Sequence, residues 1–305
     1  MNPDLATPKT FRSPFVRAHL IFALFLLAAV GLFWKSLTML ITYSLNNESC
    51  SHIVLIPFVT AYLLFLERKR IFAFVRPSVL AGLSLVLVGV FFYWMGNSNP
   101  FSLSGNGPLS ITAFAFVLVC IGGFVSLYGL SATRAALFPL LFLLLIVPLP
   151  DAALAWTIHV LQQGSTYLTC LLFKLFGVPF LRQGFVIALP SVTIEVAAEC
   201  SGIRSSIALF ITSLLVAHLY LRTPWKILVF LLLVFPLTVI KNAIRIVTLT
   251  LLSIHVDPSF LHGRLHHQGG IVFFLISLVL LLPVFLALEK SERRPTELKV
   301  EHSVG

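Results

Sequence analysis

Apolar runs of membrane-crossing length follow one another through most of the chain, at about 17–34, 51–66, 77–95, 110–130, 135–149, 152–176, 201–221, 227–252 and 268–288. A helix needs roughly 20 apolar residues to cross the hydrocarbon core of a bilayer. Of the 305 residues, 58% are hydrophobic and only 10% are charged, more apolar side chain than a soluble core of this size can hide. The expected class is an all-α polytopic membrane protein, with lipid as its solvent.

Lys and Arg between the runs set the orientation, because they are retained in cytoplasmic loops. Loop 67–76, "ERKRIFAFVR", holds Arg68, Lys69, Arg70 and Arg76, and the link at 222–226 holds Arg222 and Lys226. The N-terminal arm carries Lys9, Arg12 and Arg17, and the tail from Lys290 carries Arg293, Arg294 and Lys299. All four are expected inside. Loop 96–109, "GNSNPFSLSGNGPL", has no charge and many turn residues, and is expected outside. Spread over several loops, the net charge of +10 reads as orientation and does not point to nucleic acid.

Parity removes one run. With the arm inside, six crossings before residue 177 would start the 201–221 helix inside, yet that helix must end inside, at Arg222 and Lys226. Segment 152–176 is the one taken not to cross. It follows "PLPD" at 148–151 and carries His159, Gln162, Gln163, Ser165, Thr166, Tyr167 and Thr169, which suits a helix along the outer surface or packed re-entrantly. About eight transmembrane helices remain. The expected organisation is a cytoplasmic arm over 1–16, a transmembrane domain over 17–288 and a basic cytoplasmic tail over 289–305. The arm, with Pro3, Pro8 and Pro14, reads as disordered, and the first run reads as a retained helix, not a cleaved signal.

Residues 180–198, "FLRQGFVIALPSVTIEVAA", change period. Phe185, Ile187 and Leu189 alternate, as do Val192, Ile194 and Val196, with Pro190-Ser191 between them. This predicts a short extracytoplasmic β-hairpin feeding into Cys200. Of the other cysteines, Cys120 and Cys170 lie inside apolar runs and read as packing residues, and the length fits no small disulfide-rich scaffold.

In this topology three polar clusters meet at the outer ends of the last three helices. Cys200 opens one helix, where the helix N-terminus and Arg204 at i+4 favour a thiolate and Glu199 opposes it. "KNAIRI", 241–246, puts Asn242 and Arg245 on one face. "LHGRLHHQGGIVFF", 261–274, brings His266 and His267 to the mouth of the last helix. Each has a plainer explanation. Cys200 can be structural, Arg245 can pair with a helix-end carbonyl or Asp257, Lys241 can snorkel, and the histidines can be interfacial. The set His255, His262, His266 and His267 matches no zinc spacing, so neither metal nor cofactor is expected. Taken together, the clusters describe a thiol nucleophile, a histidine proton carrier and a guanidinium that stabilises an oxyanion.

"AECSGIRSS" (198–206), "NAIR" (242–245) and His266-x-x-x-Gly270-x-x-x-Phe274, in this order on successive helix ends, resemble the exosortase/archaeosortase family of membrane transpeptidases. The hairpin with Gly184, "PLP" at 148–150 and "LIPFVTAYLLFLERKR" at 55–70 resemble it too, so the likeness spans roughly 50–288. It implies a membrane-embedded cysteine protease or transpeptidase. The implied substrates are membrane-anchored exported proteins ending in a sorting signal: a short motif of Pro-Glu-Pro type, a transmembrane helix and a basic tail. By motif position Cys200 is the nucleophile, Arg245 the stabiliser and His266 the acid/base, with His267 as the fallback. His266 is preferred because Gly270 follows it by four residues, where His267 has Ile271. A histidine here, where archaeosortases carry arginine, implies the bacterial branch. The implied location is then the bacterial cytoplasmic membrane, with both termini inside and the site outside. Arg182 and Arg204 are candidates to pair with an acidic residue of the substrate motif, and Asn242 is a third substrate contact. The acceptor of the cleaved protein is left open.

Two other readings compete. A transporter would distribute polar residues through the depth of several helices and show a repeat relating two halves, whereas here they gather at one face without an evident repeat. A non-catalytic component of polysaccharide or protein export would use the same residues for packing. The topology is checked by labelling with an impermeant maleimide from outside. It should reach Cys200 and miss a cysteine placed at Lys69; the reverse pattern overturns the orientation.

Overall fold

A computed structural model describes residues 14–197, 202–261 and 270–304. It is predominantly helical and falls into two compact units, one ending at Asp151 and the other beginning at Ala152. Among the described residues, five helices are long and apolar enough to cross a membrane, or up to seven if each of two bent helix pairs is one span. Many of their side chains, among them Leu24, Leu27, Leu80, Leu87, Leu232 and Val279, are more than half exposed. Apolar surface on that scale is the lipid-facing side of a multi-pass membrane protein. The expected count of eight is not reproduced: run 17–34 enters only as half of a bent pair, and two other runs fold short. Run 51–66 yields a helix only over Ile56–Leu66, and run 135–149 yields one over Leu137–Phe142 followed by a 3-10 turn.

The first unit comprises α1 (Pro14–Leu32), α2 (Trp34–Asn46), α3 (Ile56–Leu66), α4 (Arg68–Ile71), α5 (Val79–Ser98), α6 (Gly107–Ala135) and α7 (Leu137–Phe142). Helices α1 and α2 form a pair bent by 76°. Helices α5 and α6 approach closely because small residues line their seam. A Cβ on Gly82 would lie 2.4 Å from the Ser126 backbone nitrogen, and one on Gly89 2.7 Å from Val119 Cγ2. In lipid, where no hydrophobic effect drives helices together, this close packing is a main source of association.

The two ends of this unit differ in chemistry. At one, Arg70 donates to the Ala135 carbonyl (2.9 Å) and pairs with Glu67, beside Arg68 and Lys69. Near it the Arg76 amide donates to Tyr128 O, and the Arg76 carbonyl fills the space a Cβ on Gly129 would need. Gly129 has φ +82, so α6 kinks there at a position only glycine fits well. At the other end a reciprocal clasp joins loop 96–109 to the last residue of the unit. The Asn106 amide donates to Asp151 Oδ2 and the Asp151 amide to Asn106 Oδ1, both at 2.9 Å. Asn106 Nδ2 also reaches the Tyr43 hydroxyl and the Leu149 carbonyl.

The second unit holds α8 (Asp151–Leu175, apart from its first residue), strands β1 (Leu181–Gln183), β2 (Val186–Ala188) and β3 (Thr193–Glu195), and helices α9 (Ile203–Tyr220), α10 (Pro224–His255) and α11 (Gly270–Val304). The expected hairpin is β2–β3, with Ile187 opposite Ile194 and the Leu189 amide closing the Pro190-Ser191 turn onto Val192 O. One strand more is present: β1 pairs antiparallel with β2 through a two-residue turn in which Gly184 has φ +61. The alternation holds. Ile187, Leu189, Ile194 and Val196 are buried in one cluster with Phe173 of α8 and Val247 of α10. Helix α11 continues without a break through 289–304.

Helices α9, α10 and α11 are pinned together at one end. Glu292 of α11 accepts the amides of Arg222 (3.0 Å) and Thr223 (2.9 Å), capping the start of α10, and Lys226 donates to Ser291 Oγ. Leu209, Ala217, Phe230, Val234 and Leu281 form the core between them.

The glycine seam gives a contrast. Gly82→Ala should cost about 1–3 kcal/mol through overpacking. Gly31→Ala, where nothing lies within 4 Å of the new Cβ, should be neutral or slightly stabilising. Thermal unfolding of the purified protein in detergent reads both.

Candidate active site

Helix α9 spans 18 residues, about 27 Å, and α10 spans 32, about 48 Å. The two pack antiparallel from the pinned end, so α9 starts roughly level with residue 241 and α10 runs on beyond it. The sheet packs on that extension, through Val247, Leu251 and Ile254. The residues that follow β3, as far as 197, are therefore carried on the upper part of α10. Gln162 of α8 secures them with a hydrogen bond to the Val196 carbonyl (2.8 Å).

Gly202 has φ +74, a left-handed conformation at the N-cap of α9. The hydroxyls of Ser205 and Ser206 donate back to its carbonyl, at 3.0 and 2.6 Å. A Cβ on Gly202 would meet Asn242 Oδ1 at 3.1 Å and Lys241 Nζ at 3.3 Å. The turn just after "CS" thus sits directly on the "KN" of "KNAIR". Asn242 is 0% exposed and donates to Ser165 Oγ of α8 (3.0 Å). Lys241 is 2% exposed and donates to Ser205 Oγ.

Arg245 lies one turn along α10 from Lys241 and is half-buried. It does not take Asp257 as its partner. That carboxylate is exposed past the end of α10 and accepts the Ser259 amide at 2.7 Å, which holds its pKa below the ordinary value. Arg204, at the start of α9, is exposed. Arg182 is exposed on edge strand β1 and donates Nε to the Gly184 carbonyl, so among the described residues it stands apart from the α9–α10 contact. Cys200, Glu199, His266 and His267 lie outside the described residues.

Two features were not legible in the sequence. Lys241 does not snorkel; its ammonium is turned inward onto Ser205. The polar residues of 152–176 divide between two faces: Ser165, Thr166 and Thr169 are each 0% exposed, whereas Tyr167 is 66% exposed.

Residues 44–283 match the transmembrane exosortase family. The chain belongs to that family. No curated protein and no solved structure matches it. The matched region takes in both units and every candidate residue named above. Membership supports a membrane-embedded sorting and transpeptidation role, and the resemblance read from "AECSGIRSS", "NAIR" and His266-x-x-x-Gly270 leads to the same family.

The Gly202 contact can be tested against Gly184, which also has positive φ but open space around it. Both alanine variants carry left-handed strain of about 1–2 kcal/mol. Only Gly202→Ala also presses on Asn242 and Lys241, so it should lose processing of a substrate well beyond its loss of thermal stability. Gly184→Ala should lose stability alone.

Proposed function

We propose that the chain is a membrane-embedded cysteine transpeptidase that cleaves the C-terminal sorting signal of exported proteins on the extracytoplasmic face. What carries this reading is the contact of Gly202 and Ser205, which follow Cys200 in the chain, with Lys241 and Asn242, one turn from Arg245. Three helices are clamped at the end bearing Arg222 and Lys226, and Gly202 begins α9 at that helix's opposite end. Cationic loops face the cytoplasm, which favours an outward site.

In this reading the Cys200 thiolate attacks the carbonyl carbon of the scissile peptide bond. The oxygen takes up negative charge beside Arg245, whose planar fork of donors suits it. His266 gives a proton to the leaving amine as the carbon–nitrogen bond breaks, leaving an acyl thioester on Cys200. His266 then takes a proton from the incoming nucleophile, water or an acceptor amine, and the thiolate departs. The substrate is a membrane-anchored protein with a short motif, a transmembrane helix and a basic tail. Its helix shares the bilayer with the enzyme, which raises the effective concentration of the motif. Arg182 and Arg204 are the candidates to meet an acidic residue in it.

The experiment co-expresses a tailed substrate with wild-type, Cys200→Ser, Arg245→Ala or Arg245→Lys protein, and follows the shortened product on gels. Cys200→Ser should leave only precursor. Arg245→Lys should fail nearly as badly as Arg245→Ala, because an ammonium cannot reproduce the fork. Processing that persists with Cys200→Ser sinks thiol chemistry.

A further inference from the structure

The first unit holds an open cavity of about 540 Å³ at its cationic end. Phe22 of α1, Leu64 of α3, Phe72 after α4 and Phe124 of α6 give it an apolar interior. Within it His19 Nδ1 and the Tyr128 hydroxyl are hydrogen-bonded to each other at 2.7 Å. Arg68 and Lys69 line its edge, both exposed, at the start of α4. The Arg68 guanidinium carbon lies 3.9 Å from the centre of the Phe65 ring, and its Nη1 donates to the Phe65 carbonyl at 2.7 Å. These two contacts fix the charge at the mouth of the cavity. Among the described residues neither Arg68 nor Lys69 has a carboxylate partner, and Glu67, the acid beside them in sequence, pairs with Arg70.

Charge is costly in the hydrocarbon core, so two such cations sit at headgroup depth while the apolar interior beside them lies toward the acyl chains. A cavity built this way suits an amphiphile with an anionic head. We infer that it binds one anionic phospholipid. The phosphodiester meets Arg68 and Lys69, and an acyl chain lies along Phe22, Leu64 and Phe72, between α1 and α3. Phe65 is 61% exposed, so the mouth opens onto the lipid-facing surface and a lipid can enter sideways. With loop 67–76 on the cytoplasmic side, the lipid comes from that leaflet. Charge disfavours the other candidates. The substrate proposed above ends in a basic tail, which the same two cations repel. The chain's own arm carries Lys9 and Arg12 against Asp4, so it too has the wrong sign. The site uses no residue of the second unit and does not depend on the thiol reading.

The test is native mass spectrometry of the purified full-length protein in detergent, titrated with dioleoylphosphatidylglycerol or dioleoylphosphatidylcholine. Wild type should retain one phosphatidylglycerol with a preference of about tenfold or more, since each Lys or Arg near an anionic head contributes about fivefold. Arg68→Gln combined with Lys69→Gln should bring that preference close to one. Arg134→Gln removes an exposed cation at the same end that does not line the cavity, and should leave the preference in place. Leu64→Trp fills the cavity and keeps both charges, and should lose retention of both lipids. Equal retention of the two lipids by wild type overturns the inference, as does a double variant that behaves like wild type. An equal loss in Arg134→Gln overturns it too, because a diffuse field would then be at work. Glycerol phosphate that competes as well as the lipid makes this an anion site with no place for a chain, and the inference fails. Retention that appears only when residues 2–13 are deleted makes the arm the occupant, and a lipid-free dimer that Leu64→Trp dissociates makes it a second copy; either replaces the lipid. The double variant changes exposed side chains alone, so it should accumulate and decide the matter even where Leu64→Trp does not.

Discussion

An ammonium inside an apolar helix has to find oxygen, and the second unit is arranged around the place where Lys241 finds it. Ser205 supplies the hydroxyl, which fixes the first turn of α9 against the middle of α10. That close approach needs a residue without a side chain at 202, and its left-handed backbone is one glycine adopts at no cost. Asn242 on the next residue ties the same spot to Ser165 of α8. Three helices and the exit of the sheet are therefore tied together by polar contacts within a few residues of each other, in surroundings where such bonds have little water to compete with them.

Much of this arrangement was legible before any coordinates. The alternation at Phe185–Leu189 and Val192–Val196 gave the hairpin and its buried face, because period 2 has one structural meaning. The turn residues at Pro190-Ser191 fell where the chain turns. The apolar runs gave the membrane class. Strand β1 was missed: "LRQ" has no apolar alternation, being solvated on both faces, so only the glycine at 184 marked it. Short helices such as α3 were overcounted as full spans, since hydropathy cannot tell a short helix with turns before it from a continuous one.

The site was legible as residue types and spacing and less so as contacts. Asn242 and Arg245 belong together by helical geometry alone, and the sequence placed them together. That Lys241 points inward is set by where α9 begins, a tertiary fact with no local trace. The polar face of α8 has the same origin. Ser165, Thr166 and Thr169 look like surface residues until another helix is found against them.

Glu292 has a consequence for the order in which the protein is completed. It sits on the last helix, yet it caps the start of α10, whose amides lie some seventy residues earlier in the chain. During synthesis α9 and α10 leave the ribosome with that cap missing, and only the arrival of α11 supplies it. The same helix carries Gly270, four residues after His266. The clamp and the histidine thus come with one segment, made after α9 and α10, so a chain that stops short of residue 292 lacks the fastening of its helices however complete its upstream motifs are.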